Sequence, residues 1–346
     1  MRVLASNEQN QILKLDKKDK QILALLCKNA RLPLTKIGDS VGLSRESIEY
    51  RIKRFKEAQI ITGSRTLINI RKLNNYSFHV FISLHNPKEE EKFLTRLKEH
   101  PNVNVVIKYS GKWDFEVSIM TDSPESFYDI FYEISEGINI QDYHILLLLN
   151  TIKSIVLQKK YLENTENITV KRNDFSFFKD FSKKKEDNYK LDEKDMIILK
   201  LISDDAETKI TEIAKKTKLS PDTITYRLKK LIYNNYIIEF RPIINYSALK
   251  LSIQALLIRT KSIRKEDEKQ LFMFLKEHDN ILWATKTFGN WNLLVYAITE
   301  HQNDFHKLID ELTLRFPDLI KNYESLFAYQ EYKYTFLAKG VEPKKI

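Results

Sequence analysis

Glycine is scarce in this sequence. Seven glycines stand in 346 residues, where an average usage of about 7% would give roughly 24. No GxGxxG and no GxxxxGK[ST] occurs. P-loop NTPase, Rossmann dehydrogenase and protein kinase readings therefore lose their usual support. Cysteine is scarcer still. The lone Cys27 excludes an intrachain disulfide framework and a Cys-rich zinc site. No apolar run approaches the length of a membrane span; the longest clean one is Ile145–Leu149. The N-terminal stretch MRVLASNEQNQILKL lacks the apolar core of a signal peptide. Nothing among the seven histidines has HExxH spacing or suggests a triad. These absences lead us to expect an intracellular, cytoplasmic protein with no membrane partner, no metal, no cofactor and no enzymatic activity.

What is present is enough for packed cores: 42% of residues are hydrophobic and 11% aromatic. The formal net charge is +10. A basic balance of that size points to a polyanionic partner, most simply nucleic acid.

The chain repeats itself. LDKKDKQILALLCKNARLPLTKIGDSVGLSRESIEYRIKRF starts at Leu15, and LDEKDMIILKLISDDAETKITEIAKKTKLSPDTITYRLKKL starts at Leu191. Residues 15–61 and 191–237 share 17 identities over 47 ungapped positions. Further along, after a two-residue slip, Gly111 matches Gly289 and Trp113 matches Trp291. A period this long marks two copies of one module. We divide the chain into an arm (1–14), a first helical head (15–70), a first sheet domain (71–158), a linker (159–190), a second head (191–246) and a second sheet domain (247–340). The linker is polar but holds Phe175, Phe177, Phe178 and Phe181, which suit docking on a module.

Each head begins with three helices. Asp16 and Asp192 are placed to cap the first. Leu34-Thr35 opens the second, with Ile37 and Val41 facing inward. Gly42 suits the tight turn that follows, although the second copy has Lys218 there. Ser44 and Ser220 cap the third helix. Ile48, Ile52 and Phe55, and Ile224, Leu228 and Leu231, recur at helical spacing and face the core. The opposite face carries Arg45, Glu46, Ser47, Glu49, Tyr50, Arg51, Lys53 and Arg54 in copy one. In copy two it carries Asp222, Thr223, Thr225, Tyr226, Arg227, Lys229 and Lys230. This is the helix-turn-helix arrangement, whose third helix enters a major groove. Residues at its start reach base edges, and basic residues beyond them meet phosphates. Glu46 and Glu49 either accept from cytosine amino groups or repel phosphates. A β-prone strand or wing follows, with Arg65 and Arg241 as phosphate contacts.

The remainder of each copy reads βαββαβ. In copy one the elements are Phe78–Leu84, Pro87–His100, Val103–Tyr109, Phe115–Met120, Ser123–Glu136 and Ile140–Leu157. In copy two they are Ile253–Thr260, Lys265–His278, Ile281–Thr287, Leu293–Thr299, His301–Phe316 and Leu319–Phe336. The predicted fold class is α+β: two copies of a winged helix-turn-helix followed by a ferredoxin-like βαββαβ sheet domain. The exposed sheet faces should pair with each other.

The carrying motifs are LDKKDKQIL, LSRESIEYRIKRF and GKWDF, with LDEKDMIIL, LSPDTITYRLKKL and GNWNL. On these the chain resembles the Lrp/AsnC, or feast/famine, transcription regulators over nearly its whole length. The resemblance implies a winged helix-turn-helix followed by a dimerising sheet domain that often senses amino acids. Its partners would be double-stranded DNA and an amino-acid effector. Relatives usually carry one copy, so this chain is expected to be a fused pseudo-dimer, with the two sheet domains paired face to face and further homo-oligomers open. Two different recognition helices would read non-identical half-sites. The resemblance also places a small-molecule pocket beside the hairpin. Carried over residue by residue, that gives Gly111, Lys112 and Asp114, and Gly289, Asn290 and Asn292. Asn292 cannot supply the charge that Asp114 offers an ammonium group. Glycine kept twice in one hairpin implies either φ > 0 or close approach by a ligand. Siroheme decarboxylases resemble the same family and pair two such modules, so a decarboxylase or haem-binding protein is the alternative, with His100 and His278 as its candidates.

Overall fold

The computed structural model describes residues 2–4, 13–158, 189–261 and 264–342. The four linker phenylalanines lie outside the described residues. The chain forms two compact units. One gathers both heads and the other gathers both sheet domains, so like is grouped with like.

In the head unit, α1 (Lys17–Lys28), α2 (Leu34–Val41) and α3 (Arg45–Glu57) form the first head. Helices α6 (Glu193–Asp204), α7 (Ile210–Thr217) and α8 (Pro221–Tyr233) form the second. Both first helices start with a capping box. Asp16 accepts the Asp19 N–H at 2.7 Å while Asp19 accepts the Asp16 N–H at 3.1 Å, and Asp192 and Asp195 repeat this at 2.8 and 3.2 Å. The turn after α2 is left-handed, with φ 68° at Gly42. Lys218 adopts φ 58° at the same place. That costs a non-glycine residue roughly 1–2 kcal/mol, so glycine is favoured there but not obligatory.

The expected wings are not free. Strand β2 (Ile61–Ile68) pairs antiparallel with β7 (Ile237–Ile244), bringing Arg65 opposite Arg241. The pairing also exchanges contacts between heads. Thr66 Oγ1 donates to the Ile202 carbonyl of α6 at 2.6 Å, while the Phe240 carbonyl of β7 accepts the Ala30 N–H at 2.9 Å.

In the sheet unit, module one runs β3 (Tyr76–Leu84), α4 (Glu90–Glu99), β4 (Val103–Ser110), β5 (Phe115–Thr121), α5 (Pro124–Ser135) and β6 (Ile140–Ser154). Module two runs β8 (Ser252–Thr260), α9 (Lys265–Glu277), β9 (Ile281–Gly289), β10 (Leu293–Thr299), α10 (Gln302–Arg315) and β11 (Ile320–Tyr334). The strand orders β4-β5-β3-β6 and β9-β10-β8-β11 are both ferredoxin-like.

The modules do more than stack face to face. Edge strand β6 hydrogen-bonds to β9, and β11 bonds to β4, which closes eight strands into a ring. Closure pairs the edge strands of one sheet with those of the other, an arrangement that protects unpaired strand groups. The short strand β1 (Arg2–Val3) adds to β11. Three cores result. Phe93, Phe115, Phe127 and neighbours pack helices on sheet in module one, and Leu271, Leu308, Leu312 and neighbours do so in module two. Phe81, Trp113, Leu257, Trp291 and Leu326 fill the space between the sheets. Each module also caps a helix of the other. Lys153 Nζ donates to the His278 carbonyl after α9 at 2.7 Å, and Lys333 Nζ donates to the His100 carbonyl after α4 at 2.9 Å. A cation suits the negative end of a helix.

Candidate nucleic-acid interface and the paired hairpins

The third helices present matched polar faces. Ile48 and Phe55 are buried in α3, and Ile224, Leu228 and Leu231 in α8, while Ile52 is only half-buried. Ser44 Oγ accepts the Ser47 N–H at 3.2 Å and Ser220 Oγ accepts the Thr223 N–H at 3.1 Å. These serines are therefore committed to capping. Arg45, Glu46, Tyr50, Asp222 and Tyr226 are exposed, and Ser47, Arg54, Thr223 and Lys230 are half-buried. The backbone N–H at the helix start and the Ser44 hydroxyl hold the Glu46 carboxyl below its ordinary range. The Arg54 guanidinium lies 5.9 Å from the Tyr50 ring centroid, and the Lys230 ammonium lies 5.9 Å from that of Tyr226. Each recognition face thus carries an exposed phenol beside a cation.

Three of the arginines expected on DNA are used elsewhere. Arg51 Nη1 meets Asp16 at 2.8 Å and the buried Asp19 at 2.5 Å. Arg227 Nη1 meets Asp192 and the buried Asp195, each at 2.8 Å. These pairs clamp the third helix of each head to the start of its first, and we withdraw both arginines from the contact face. Arg241 is 8% exposed, with Nε 2.6 Å from Glu239 and its guanidinium over Phe336. Burial pushes the Glu239 carboxyl up and Arg241 pulls it back. Arg241 is withdrawn too, because β7 carries it into the paired ribbon. Arg65 stands half-buried opposite it.

In the sheet unit, Gly111 and Gly289 have φ of 135° and 143°. A Cβ on Gly289 would stand 2.3 Å from the Ile145 carbonyl oxygen, and one on Gly111 would stand 3.0 Å from Leu326 Cδ2. Both neighbours belong to the opposite module. The twice-kept glycine thus answers to φ and to the seam between modules. Asp114 Oδ2 accepts the Leu84 N–H and Asn292 Oδ1 accepts the Thr260 N–H, each at 2.8 Å. Acid and amide do the same work, tying a hairpin to the end of the adjacent strand. Lys112 and Asn290 are exposed, and Lys112 Nζ lies 3.3 Å from Glu324.

Comparison with known proteins agrees with this architecture. Residues 15–56 match the model of the AsnC-type helix-turn-helix domain, and residues 191–238 match a winged helix-turn-helix DNA-binding model. The chain is 30% identical over 108 residues to the proline dehydrogenase transcriptional activator of Rhodobacter capsulatus, spanning 30% of this chain and 70% of that protein. It belongs to the Lrp/AsnC family. The HTH-type transcriptional regulator Zrp of Zymomonas mobilis is 27% identical over 143 residues, spanning 40% of this chain and 93% of Zrp. These Lrp/AsnC relatives correspond to one copy of the module. The crystal structure of the siroheme decarboxylase NirDL has the same two-module fold: TM-score 0.61 at 12% identity, over 92% of this chain and 93% of that one.

Two residues offered for the alternative have structural duties in this Lrp/AsnC protein. His100 Nδ1 accepts the Asn102 N–H and His278 Nδ1 accepts the Asn280 N–H, each at 3.1 Å. Their Nε2 atoms lie 3.5 Å from Glu133 and 3.3 Å from Glu311. Sequence reasoning overlooked a polar cluster between the sheets. Glu116, fully buried, lies 2.5 Å from His79 Nδ1, accepts the Tyr109 hydroxyl at 2.6 Å, and accepts the Tyr296 hydroxyl of module two. Burial and the Glu116 charge push both tyrosines well above their ordinary range. Its one sequence signal is a lone carboxylate inside the apolar strand FEVSIM. Among the described residues no group of three or more His, Cys, Asp or Glu could hold a metal, and no helix is long and apolar enough to cross a membrane.

Proposed function

We propose that this chain is a sequence-specific regulator of transcription that carries both halves of a dimer in one polypeptide and binds double-stranded DNA through α3 and α8. One observation carries the reading. Two capped third helices each present an exposed tyrosine beside a cation, with base-reading groups one turn nearer the N-terminus. Arg45, Glu46, Ser47 and Tyr50, and Asp222, Thr223 and Tyr226, read base edges. Arg54, Lys230 and the half-buried Arg65 serve phosphates. The two faces differ, so the operator consists of unlike half-sites. The sheet unit holds the halves together and offers the place for a small-molecule effector, and the protein works in the cytoplasm without being an enzyme.

A decarboxylase reading takes its support from the fold of NirDL. Both histidines it would recruit are bonded to the backbone two residues on. Selecting genomic fragments bound by the purified protein tests the regulator reading. A single enriched motif with two different halves is expected, and no enrichment over input would refute it. Titration with haem or siroheme should leave the absorbance spectrum of the added tetrapyrrole unchanged.

A further inference from the structure

The two modules have diverged at one place in a way that opens a cavity. A space of about 440 Å³ lies where the start of β8, the end of β10 and the first turns of α10 meet the β4 end of module one. Its lining includes Gln254, Thr299, His301, Phe305, His306 and Ser110. Module one fills the equivalent place. Phe78 stands where module two has Gln254, and it stacks on Phe127 with centroids 4.4 Å apart. Phe127 corresponds to Phe305. Tyr128 stands in place of His306 and packs edge-on against Phe127 at 5.4 Å. Ser123, in place of His301, caps α5 by accepting the Ser126 N–H at 3.1 Å. His301 makes no such bond, so no side chain caps α10.

Three substitutions at one spot therefore remove an aromatic plug, remove a helix cap and add two imidazoles. Gln254 is 5% exposed and Thr299 1% exposed, and they hydrogen-bond to each other at 3.2 Å. A buried amide and hydroxyl form a polar floor, each with hydrogen-bonding capacity beyond the bond they share. The Phe305 ring makes one wall. The imidazoles and the first-turn N–H groups favour a negative group at the mouth, while Glu300 beside them disfavours a multivalent anion. We propose that this cavity binds one small organic monocarboxylate with a hydroxyl or amide end, one per chain. The carboxylate sits at the start of α10 and the polar end reaches Gln254 and Thr299.

The lining adjoins the first hairpin at Ser110 but includes none of Lys112, Asp114, Asn290 and Asn292, and the site stands or falls independently of DNA binding. The test uses the full chain and calorimetric titration with gluconate, glycerate, lactate and succinamate, with sorbitol as the uncharged control. At least one carboxylate should bind at one site per chain, and sorbitol should not. Gln254→Phe restores the plug of module one and should abolish binding. His301→Ser restores the cap and should weaken it about tenfold, while thermal unfolding shows both variants folded. The proposal is overturned by no saturable binding of any carboxylate at millimolar concentration, by two sites per chain, or by affinity unmoved in both folded variants.

Discussion

His144 and Glu324 occupy equivalent places in the last strands of the two modules, and each accepts the indole N–H of the other module's tryptophan. Trp291 Nε1 donates to His144 Nδ1 at 3.1 Å, and Trp113 Nε1 donates to Glu324 Oε2 at 2.9 Å. One seam is thus closed by a base and the other by an acid. Only the first can be broken by mild acid. Burial, reinforced by the Lys112 charge, lowers the His144 pKa against the opposing pull of Asp142 and Glu324. A depressed histidine contributes stability that is present above its ordinary pKa of about 6.5 and lost as pH falls further. Tryptophan fluorescence should change as pH falls below about 6.5 and the His144 acceptor is protonated. In His144→Gln that transition should be absent.

The buried aspartates of the heads set a second test. Asp19 and Asp195 are each 1% exposed and each faces one arginine. Arg51→Ala or Arg227→Ala leaves a buried carboxylate without its cation, and should cost about 3 kcal/mol in denaturant titrations. DNA affinity should fall only as far as folding does. A stable Arg51→Ala protein with lost affinity would return Arg51 to the contact face.

The cations beside the exposed tyrosines should behave in the opposite way. Arg54→Ala and Lys230→Ala should leave thermal unfolding within about 0.5 kcal/mol. Each should weaken binding to all sequences and flatten the salt dependence by about one phosphate contact. Substituting Ser47 or Thr223 should shift the preferred base in one half-site, read by competition among operator variants.

Acid should also loosen the helix starts. Burial works against ionisation of Asp16 and Asp192, but the N–H of Asp19 or Asp195 and the guanidinium of Arg51 or Arg227 outweigh it, so both pKa values are lowered. Their contribution is complete above the ordinary aspartate value of about 3.9 and is lost as pH falls below it. Far-ultraviolet circular dichroism of Asp16→Asn with Asp192→Asn should lose that part of the acid transition.

The hairpin glycines are not equivalent. Gly289→Ala drives a Cβ to 2.3 Å from backbone, whereas Gly111→Ala meets the tip of a leucine at 3.0 Å. Both strain a positive φ at about 1–3 kcal/mol. The Gly289 variant should therefore lose more stability, and chemical denaturation of the two compares them directly.

Much of this was legible in the residues. The period-two strands and capped helices mark all twelve βαββαβ elements to within about three residues, because side-chain periodicity is a local property. The N-caps Asp16, Asp192, Ser44 and Ser220 are visible for the same reason. The edge pairings β6–β9 and β4–β11 are not, since an edge strand reads alike whether it meets water or another edge. Arg51 and Arg227 mislead because their partners lie some thirty residues upstream, and Arg241 because its strand was read as a wing. The polar cluster at Glu116 depends on Tyr296, which is 180 residues away, so no window on the sequence joins them.

The closed ring imposes an order on the making of the protein. Strands β4 and β6 find their edge partners only in β11 and β9, and β11 ends at Tyr334. A ribosome adding 5–20 residues per second takes roughly 10–35 s to travel from the end of module one to that strand. Until β9 is made the nascent first sheet carries two bare edges, the β4 edge stays bare until β11 follows, and the last strand synthesised is the one that seals it.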